Sequence, residues 1–206
     1  VASSGCYGAA LSNGAEYTGE YGQVTLEKLE EFHRHKFLTV RKHSDNTLIA
    51  VETVPSLLEC QALRNLLLRN ENFEAYISLA CRNQSELNDG TPLQQALEVF
   101  RDVPNNQLVA IGLNCCNDRY LDSLLSILVR EVALKQQRGI AFYPNSGETW
   151  DAENQEWSKG TGCEDLAPRL LDLMRHVKGE WRTAAGEQAA LPSIIVGGCC
   201  RTETRT

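Results

Sequence analysis

Two pairs of adjacent cysteines are the residues of this sequence best suited to chemistry. They are Cys115-Cys116 and Cys199-Cys200, and they belong to a total of eight cysteines in 206 residues. Adjacent cysteines rarely bond each other, because a disulfide requires Cα atoms about 4.4–6.8 Å apart. The chain also has long apolar segments, unlike the short, loop-rich secreted proteins that disulfides stabilise. We therefore expect a reducing, cytoplasmic setting in which these cysteines act as thiolates or bind a metal.

Cys115 and the Cys199-Cys200 pair each follow a segment that we predict to be a buried β-strand. One strand ends at Ile111-Gly112-Leu113-Asn114, and the other ends at Val196, before two glycines. α/β barrels and open α/β sheets bind ligands at the carboxyl ends of their strands, so these sulfurs could meet there. Three thiolates around one ion, with a fourth position open, describe a catalytic Zn²⁺ site rather than a structural one. The alternative interpretation is that the cysteines are buried and only pack against other side chains.

A zinc site of this kind favours one type of reaction. A substrate thiol that takes the open position becomes a thiolate, which is the nucleophilic form of sulfur. Three cysteine ligands give the site a net negative charge, which we infer keeps the incoming sulfur electron-rich. Such a sulfur can attack a methyl group on a sulfonium or quaternary ammonium donor.

The segments that carry these residues are typical of a parallel α/β sheet, in which strands and helices alternate. Five short runs are almost continuously apolar, as expected for strands buried on both faces. The runs begin at residues 48, 75, 108, 140 and 193, and Val1-Ala2 is predicted to belong to a sixth strand. A chain of 206 residues is long enough for one domain with a sizeable core, which we assign to residues 1–206.

Helical signals fill the segments between the strands. Ser56 and Thr91 each begin a capping-box pattern, in which two side chains bind the free amides of a helix start. Thr25 is predicted to begin an earlier helix that extends through Phe37. Two apolar stripes at helical spacing complete the pattern. They consist of Leu121, Leu124, Leu125, Leu128 and Val132, and of Leu166, Leu170, Leu173, Met174 and Val177.

Composition argues against several classes of partner. The formal net charge is −7, and no run rich in Lys and Arg is present, so nucleic acid is not expected as a partner. No apolar run approaches the roughly 20 residues that a membrane-spanning helix needs. The amino-terminal segment does not resemble a signal peptide. We therefore expect small-molecule substrates, and the sequence does not indicate an oligomeric state.

Several motifs are similar to those of one known family, the homocysteine S-methyltransferases. The similar segments are Gly197 to Thr202, Gly112 to Cys115, Tyr143 to Glu148, Gly5 to Ala9 with Glu16 to Gly19, and Leu48 to Pro55. The first three resemble the GGCCRT, G-x-N-C and YPNSGE motifs of the family. All five occur in family order across almost the whole chain. Their details most resemble the branch that uses S-methylmethionine or S-adenosylmethionine.

This resemblance implies a (β/α)8 TIM-type barrel that transfers a methyl group to the thiol of homocysteine and so makes methionine. It implies that the three cysteines at the strand ends are the Zn²⁺ ligands. It assigns Glu52 to the homocysteine amino group, since a carboxylate at a strand end can pair with an ammonium. Asn114 and Asn145 are expected beside the substrate, with turn formation as their alternative role. The implied partners are homocysteine and a sulfonium methyl donor.

The sequence also departs from the family pattern. We expect the first two strand–helix units of the family and its last helix to be missing, which leaves an incomplete barrel of about six strands. The missing units include a DGG element that contacts the homocysteine carboxylate in the family. The chain could therefore be a non-catalytic homologue that acts as a binding or regulatory partner. A methyltransferase that acts on another thiol or on a selenol is a further alternative.

The other cysteines and the histidines match no ligand position of the family. We expect structural or exposed thiols at Cys60, Cys81, Cys116 and Cys163, and histidines on solvated helix surfaces at His33, His35, His43 and His176. Cys6 stands in the first loop, where the family has a proline.

Overall fold

Strands and helices alternate along the chain in the computed structural model, which describes residues 1–44, 46–145, 150–151, 156–157, 166–200 and 202. The strands are β1 (Ala2–Gly5), β2 (Ile49–Val54), β3 (Ala75–Leu79), β4 (Leu108–Asn114), β5 (Gly139–Tyr143), β6 (Trp150–Asp151), β7 (Glu156–Trp157) and β8 (Ile194–Val196). The α-helices are α1 (Tyr7–Leu11), α2 (Ala15–Thr18), α3 (Leu26–His43), α4 (Leu57–Leu68), α5 (Leu93–Glu98), α6 (Leu121–Leu128) and α7 (Leu166–Ala185). A 3₁₀ turn (Asp118–Tyr120) precedes α6, and a π-helical segment (Val129–Leu134) follows it.

Six of the strands form one parallel sheet in the order β1-β2-β3-β4-β5-β8. This confirms the α/β class and all six predicted strands. Within the described residues, β1 pairs only with β2 and β8 pairs only with β5, so the sheet is open. The sheet is therefore the incomplete barrel that the sequence predicts. Strands β6 and β7 form a separate antiparallel pair.

The two faces of the sheet carry side chains of different size. One face packs against the helices through large residues, which include Ile49, Val51, Ile77, Ile111, Ile140 and Phe142. The other face carries a small cluster formed by Ala50, Tyr76, Ala110, Ala141 and Tyr143. Because both faces are buried, the strands are almost continuously apolar rather than alternating. Cys199 packs against this second cluster, so its small residues lie next to the strand ends that carry the cysteines.

Two of the three predicted helix starts are confirmed. The Thr25 hydroxyl accepts a hydrogen bond from the Lys28 amide at the start of α3. The Ser56 hydroxyl accepts one from the Glu59 amide at the start of α4. Helix α3 continues beyond its predicted end, to His43.

The third predicted helix start, at Thr91, is wrong. Helix α5 begins at Leu93, after an extended Pro92, and Thr91 does not cap it. The Thr91 amide instead donates to Asp89 Oδ1, and the Thr91 carbonyl accepts from the Leu87 amide. These bonds hold Thr91 in a turn, because the aspartate competes with the helix for its backbone.

The apolar stripe on α6 is confirmed, while the stripe on α7 is narrower than predicted. Leu121, Leu124, Leu125, Leu128 and Val132 are all fully buried. On α7, Leu173 and Val177 are fully buried, but Met174 is 37% exposed. This helix packs along one line against α6 and the π-helical segment, so only residues on that line are covered. No helix among the described residues is long and apolar enough to cross a membrane.

The close approach of β4 and β5 gives a prediction about stability. A Cβ atom added at Gly112 would lie 2.1 Å from the Ala141 carbonyl oxygen, so the strands would have to separate. We expect Gly112→Ala to lower the free energy of unfolding by about 3 kcal/mol. In the control Gly179→Ala, on α7, no atom lies within 4 Å of the added Cβ, and we expect a gain of about 0.5–1 kcal/mol. Urea unfolding measures both, and an unchanged stability of Gly112→Ala would contradict the described strand packing.

Candidate functional site

The three cysteines that the sequence singled out lie together at the carboxyl edge of the sheet. The sulfur atoms of Cys115, Cys199 and Cys200 all lie within 4.8 Å of one another, and all three residues are half-buried. Cys115 and Cys199 are in disulfide contact, with their Cα atoms 5.7 Å apart. The Cys200 sulfur lies 3.7 Å from the Cys115 sulfur and 3.9 Å from the Cys199 sulfur.

The cysteines meet because two chain segments turn over the end of the strand between them. Strand β5 separates β4, which leads to Cys115, from β8, which leads to Cys199. The Cys115 amide donates to the Tyr143 carbonyl at 3.3 Å, and the Cys199 amide donates to the Pro144 carbonyl at 2.7 Å. Cys115 itself adopts a left-handed backbone with φ of 51°, which turns the chain sharply toward β5.

The cluster fits a metal ion that prefers sulfur ligands. A tetrahedral Zn²⁺ ion about 2.3 Å from each sulfur would separate the sulfurs by about 3.8 Å. The two distances to the Cys200 sulfur, 3.7 and 3.9 Å, agree with that separation. Cys115 and Cys199 are closer, in disulfide contact, and would have to be reduced and move apart to bind the ion as thiolates. Three thiolates also form a donor set typical of zinc, while magnesium and calcium prefer oxygen ligands. The residues present could therefore hold zinc with three protein ligands.

Glu52 lies near the carboxyl end of β2, on the same edge of the sheet as the cysteines. Its carboxylate is half-buried and accepts a hydrogen bond from the Ser3 hydroxyl of β1. Tyr76 and Tyr143 lie on the small-residue face nearby. Burial raises the pKa of both tyrosines, and the negative charge of Glu52 raises it further. Both phenols are therefore neutral, and Glu52 is the one carboxylic side chain among these residues.

The two predicted asparagines hold strand ends in place. The buried Asn114 side chain accepts from the Thr53 amide at 2.8 Å and donates to the Thr53 hydroxyl at 2.7 Å. The buried Asn145 side chain donates to the Cys115 carbonyl at 3.4 Å, and its amide donates to the Cys116 carbonyl at 3.3 Å. Both asparagines thus order the cysteine turns, and their contact with substrate stays a prediction. Ser146 to Glu148 of the same predicted loop lie outside the described residues.

Tyr17 is a site residue that the sequence reasoning did not select. It lies close to Cys200, and burial, followed by the charge of Cys200, raises the pKa of its phenol to about 12. Tyr17 lies on α2, far from the cysteines in sequence, so spacing alone could not connect them. The available signal was the family-like segment Glu16 to Gly19, which contains this tyrosine.

A buried polar network anchors the first loop, which carries Tyr17. Glu59 is fully buried and accepts hydrogen bonds from the Tyr7 amide at 2.6 Å and from the Tyr21 hydroxyl. Its carboxylate also lies 2.7 Å from His33 Nε2, and His33 is fully buried as well. The prediction that His33 lies on a solvated surface is therefore wrong. The error arose because the polar partner of His33 is on another helix, α4, and is not visible in the α3 sequence.

The remaining cysteines and histidines agree better with expectation. Cys60, Cys81 and Cys116 are buried, which confirms their structural role, and Cys163 lies outside the described residues. Cys6 is buried and caps α1 by accepting from the Ala9 amide. Burial, followed by the charge of Glu59, raises the pKa of Cys6 to about 12. His35 and His43 are exposed, and His176 is half-buried against Ser126.

The family model for homocysteine S-methyltransferase matches residues 1–206, the whole of this sequence. The chain belongs to the homocysteine S-methyltransferase family. Homocysteine S-methyltransferase 2 of Arabidopsis thaliana is 34% identical over 208 residues, which cover 100% of this chain and 56% of that protein. Homocysteine S-methyltransferase 4 of Zea mays is 36% identical over 211 residues, which cover 55% of its length. The chain thus spans about half the length of the curated relatives it matches.

Solved structures of one family member share the fold. The metallated form of the homocysteine methyltransferase MmuM from Escherichia coli has a TM-score of 0.69 at 30% identity. Its oxidized form has a TM-score of 0.70 at 29% identity. Each match covers 97% of this chain and 56% of the MmuM chain. The predicted family and the predicted incomplete barrel fold are therefore both confirmed.

The Glu59 network gives a second prediction about stability. Glu59→Ala removes the acceptor of the Tyr7 amide and the Tyr21 hydroxyl and takes the carboxylate partner away from the buried His33 ring, so we expect a loss of about 3–5 kcal/mol in the free energy of unfolding. The control is Glu98→Ala, which removes a surface ion pair with Arg101 and should cause no measurable change. Urea unfolding of both variants tests this. A Glu59→Ala protein as stable as the control would show that the network does not anchor the first loop.

Proposed function

We propose that the protein transfers a methyl group from S-methylmethionine or S-adenosylmethionine to the thiol of L-homocysteine, giving methionine. We propose that it does so in the cytoplasm, as an enzyme with Zn²⁺ held by Cys115, Cys199 and Cys200. The observation that carries this proposal is the meeting of three cysteine sulfurs from two separate strand ends, within 4.8 Å. Family membership and the similarity to a metallated homocysteine methyltransferase support it.

The proposed reaction is a methyl transfer between two sulfur atoms. The homocysteine thiol loses its proton to solvent, and the resulting thiolate attacks the methyl carbon of the sulfonium donor. A new carbon–sulfur bond forms as the old one breaks, and the donor leaves as a neutral thioether. Bound zinc would act as a Lewis acid that lowers the pKa of the acceptor thiol. The chain contributes the three sulfur ligands and the geometry around them.

Residues beside the cysteines are proposed to hold the amino-acid part of homocysteine. Glu52 provides a carboxylate group at the same edge of the sheet, so we propose that it pairs with the α-ammonium group. Asn114 and Asn145 are proposed to border this position. Tyr17 lies close to Cys200, and we propose that its neutral phenol donates a hydrogen bond to sulfur. We propose that the substrate side chain lies against the small-residue face, which packs against Cys199.

Metal content and activity should disappear together when a ligand is replaced. We expect Cys199→Ser to lose bound zinc, measured by elemental analysis, and to lose homocysteine-dependent consumption of S-methylmethionine. The matched control is Cys60→Ala, at a fully buried cysteine outside the cluster, which should keep both. Activity that persists in Cys199→Ser without bound metal would reject the proposed site.

A second candidate function is methyl transfer to a selenol. A relative named Selenocysteine Se-methyltransferase, from Brassica oleracea var. italica, is 33% identical over 208 residues and matches 100% of this chain. Selenols are more acidic than thiols, so the same cluster could accept either atom. The third candidate is the non-catalytic binding or regulatory partner named among the alternatives above.

An acceptor panel distinguishes these candidates. We expect homocysteine to give the highest kcat/KM with either sulfonium donor. Product analysis should then detect methionine. A higher kcat/KM with selenocysteine would support the selenol candidate instead. Zinc binding without consumption of any donor, across all acceptors, would favour the non-catalytic partner.

A further inference from the structure

The strand end that carries Glu52 has a strained backbone. The pairing of β2 with β3 shifts register between Val51 and Val54, so the chain forms a bulge that contains Glu52 and Thr53. Thr53 lies in the bulge with φ of 61°, in the left-handed region. A β-branched residue rarely adopts this conformation and keeps it only when its surroundings enforce it. Bulges next to functional sites re-aim side chains, and here the side chain that is re-aimed is that of Glu52.

Asn114 is the residue that enforces this conformation. Its Oδ1 accepts from the Thr53 amide at 2.8 Å, and its Nδ2 donates to the Thr53 hydroxyl at 2.7 Å. These two bonds fix both the backbone and the side chain of Thr53. The same Nδ2 lies 3.7 Å from the Cys199 sulfur, within range of a weak hydrogen bond. One side chain therefore connects the end of β2 to the sulfur cluster.

We propose that Asn114 is a positioning residue for recognition of the homocysteine amino group. It acts through Thr53, whose strained turn sets the distance between the Glu52 carboxylate and the sulfur cluster. This inference rests on the proposed function, because it takes Glu52 as the partner of the α-ammonium group.

The hydrogen bonds of Asn114 argue against a direct contact with substrate. An asparagine amide nitrogen has two hydrogens, and here one faces Thr53 Oγ1 while the Cys199 sulfur lies in reach of the other. Asn114 is also only 2% exposed. An incoming amino acid would have to displace these bonds, whereas Glu52 is partly exposed to solvent.

The test compares three variants by their affinity for homocysteine. In zinc-loaded protein, we expect Asn114→Ala to raise the Kd for homocysteine about tenfold or more, because the Glu52 carboxylate is no longer held in position. In the double variant Asn114→Ala/Thr53→Gly, glycine adopts the left-handed turn without strain, so the Glu52 carboxylate returns to its position. We expect its Kd to lie within about threefold of that of Thr53→Gly alone. Calorimetry measures each Kd, and elemental analysis should find the same zinc content in every variant.

An acceptor without the amino group provides the second arm of the test. For 4-mercaptobutanoate, which keeps the thiol and the carboxylate, we expect Asn114→Ala to change the Kd by less than about twofold. An equal loss of affinity for both acceptors would overturn the proposal, as would loss of zinc from Asn114→Ala. The proposal would also be overturned if adding Thr53→Gly to Asn114→Ala did not restore the affinity. If Asn114→Ala alone does not fold, the comparison of the double variant with Thr53→Gly decides the question. If the protein without substitutions binds no homocysteine, the proposed function is refuted instead.

Discussion

The candidate site depends on two backbone hydrogen bonds at the end of β5. Parallel strands lie about 4.8 Å apart, so β4 and β8, on either side of β5, would by themselves keep their cysteines well separated. The bonds from Cys115 to Tyr143 and from Cys199 to Pro144 turn the segments that follow β4 and β8 over the end of β5. This brings the two Cα atoms to 5.7 Å. The sulfur cluster is therefore a product of sheet topology, since only a strand order with β5 in the middle provides both carbonyls.

The remaining features of the site follow from the same sheet. The large residues on the helix side provide most of the core, so the other face is free to carry alanines and two tyrosines. At the carboxyl ends of the strands, that face adjoins Glu52 and the cysteines. Stability and chemistry are thus assigned to opposite sides of one sheet. The first loop then covers the cluster from a third direction, because the buried Glu59 fixes the segment that carries Tyr17.

Much of the fold was predictable from local sequence, and less of the site was. The strands could be predicted because each is a short apolar run, and the starts of α3 and α4 because Thr25 and Ser56 bind amides three residues away. The meeting of Cys115 with Cys199 was anticipated from strand ends and family motifs. By contrast, the roles of Thr53 and His33 depend on partners 61 and 26 residues away. No pattern within either segment signals such a partner.

The π-helical segment Val129–Leu134, between α6 and β5, has a consequence for how this part of the chain can vary. A π-helix bonds each carbonyl to an amide five residues on, so it fits an additional residue into a helical turn. Here the wider turn still buries Val129 and Val132 in the core. A one-residue insertion or deletion can thus be absorbed at this point as a change between π and α geometry. Strand β5, and with it the carbonyls that hold both cysteine turns, would keep its register through such a change in chain length.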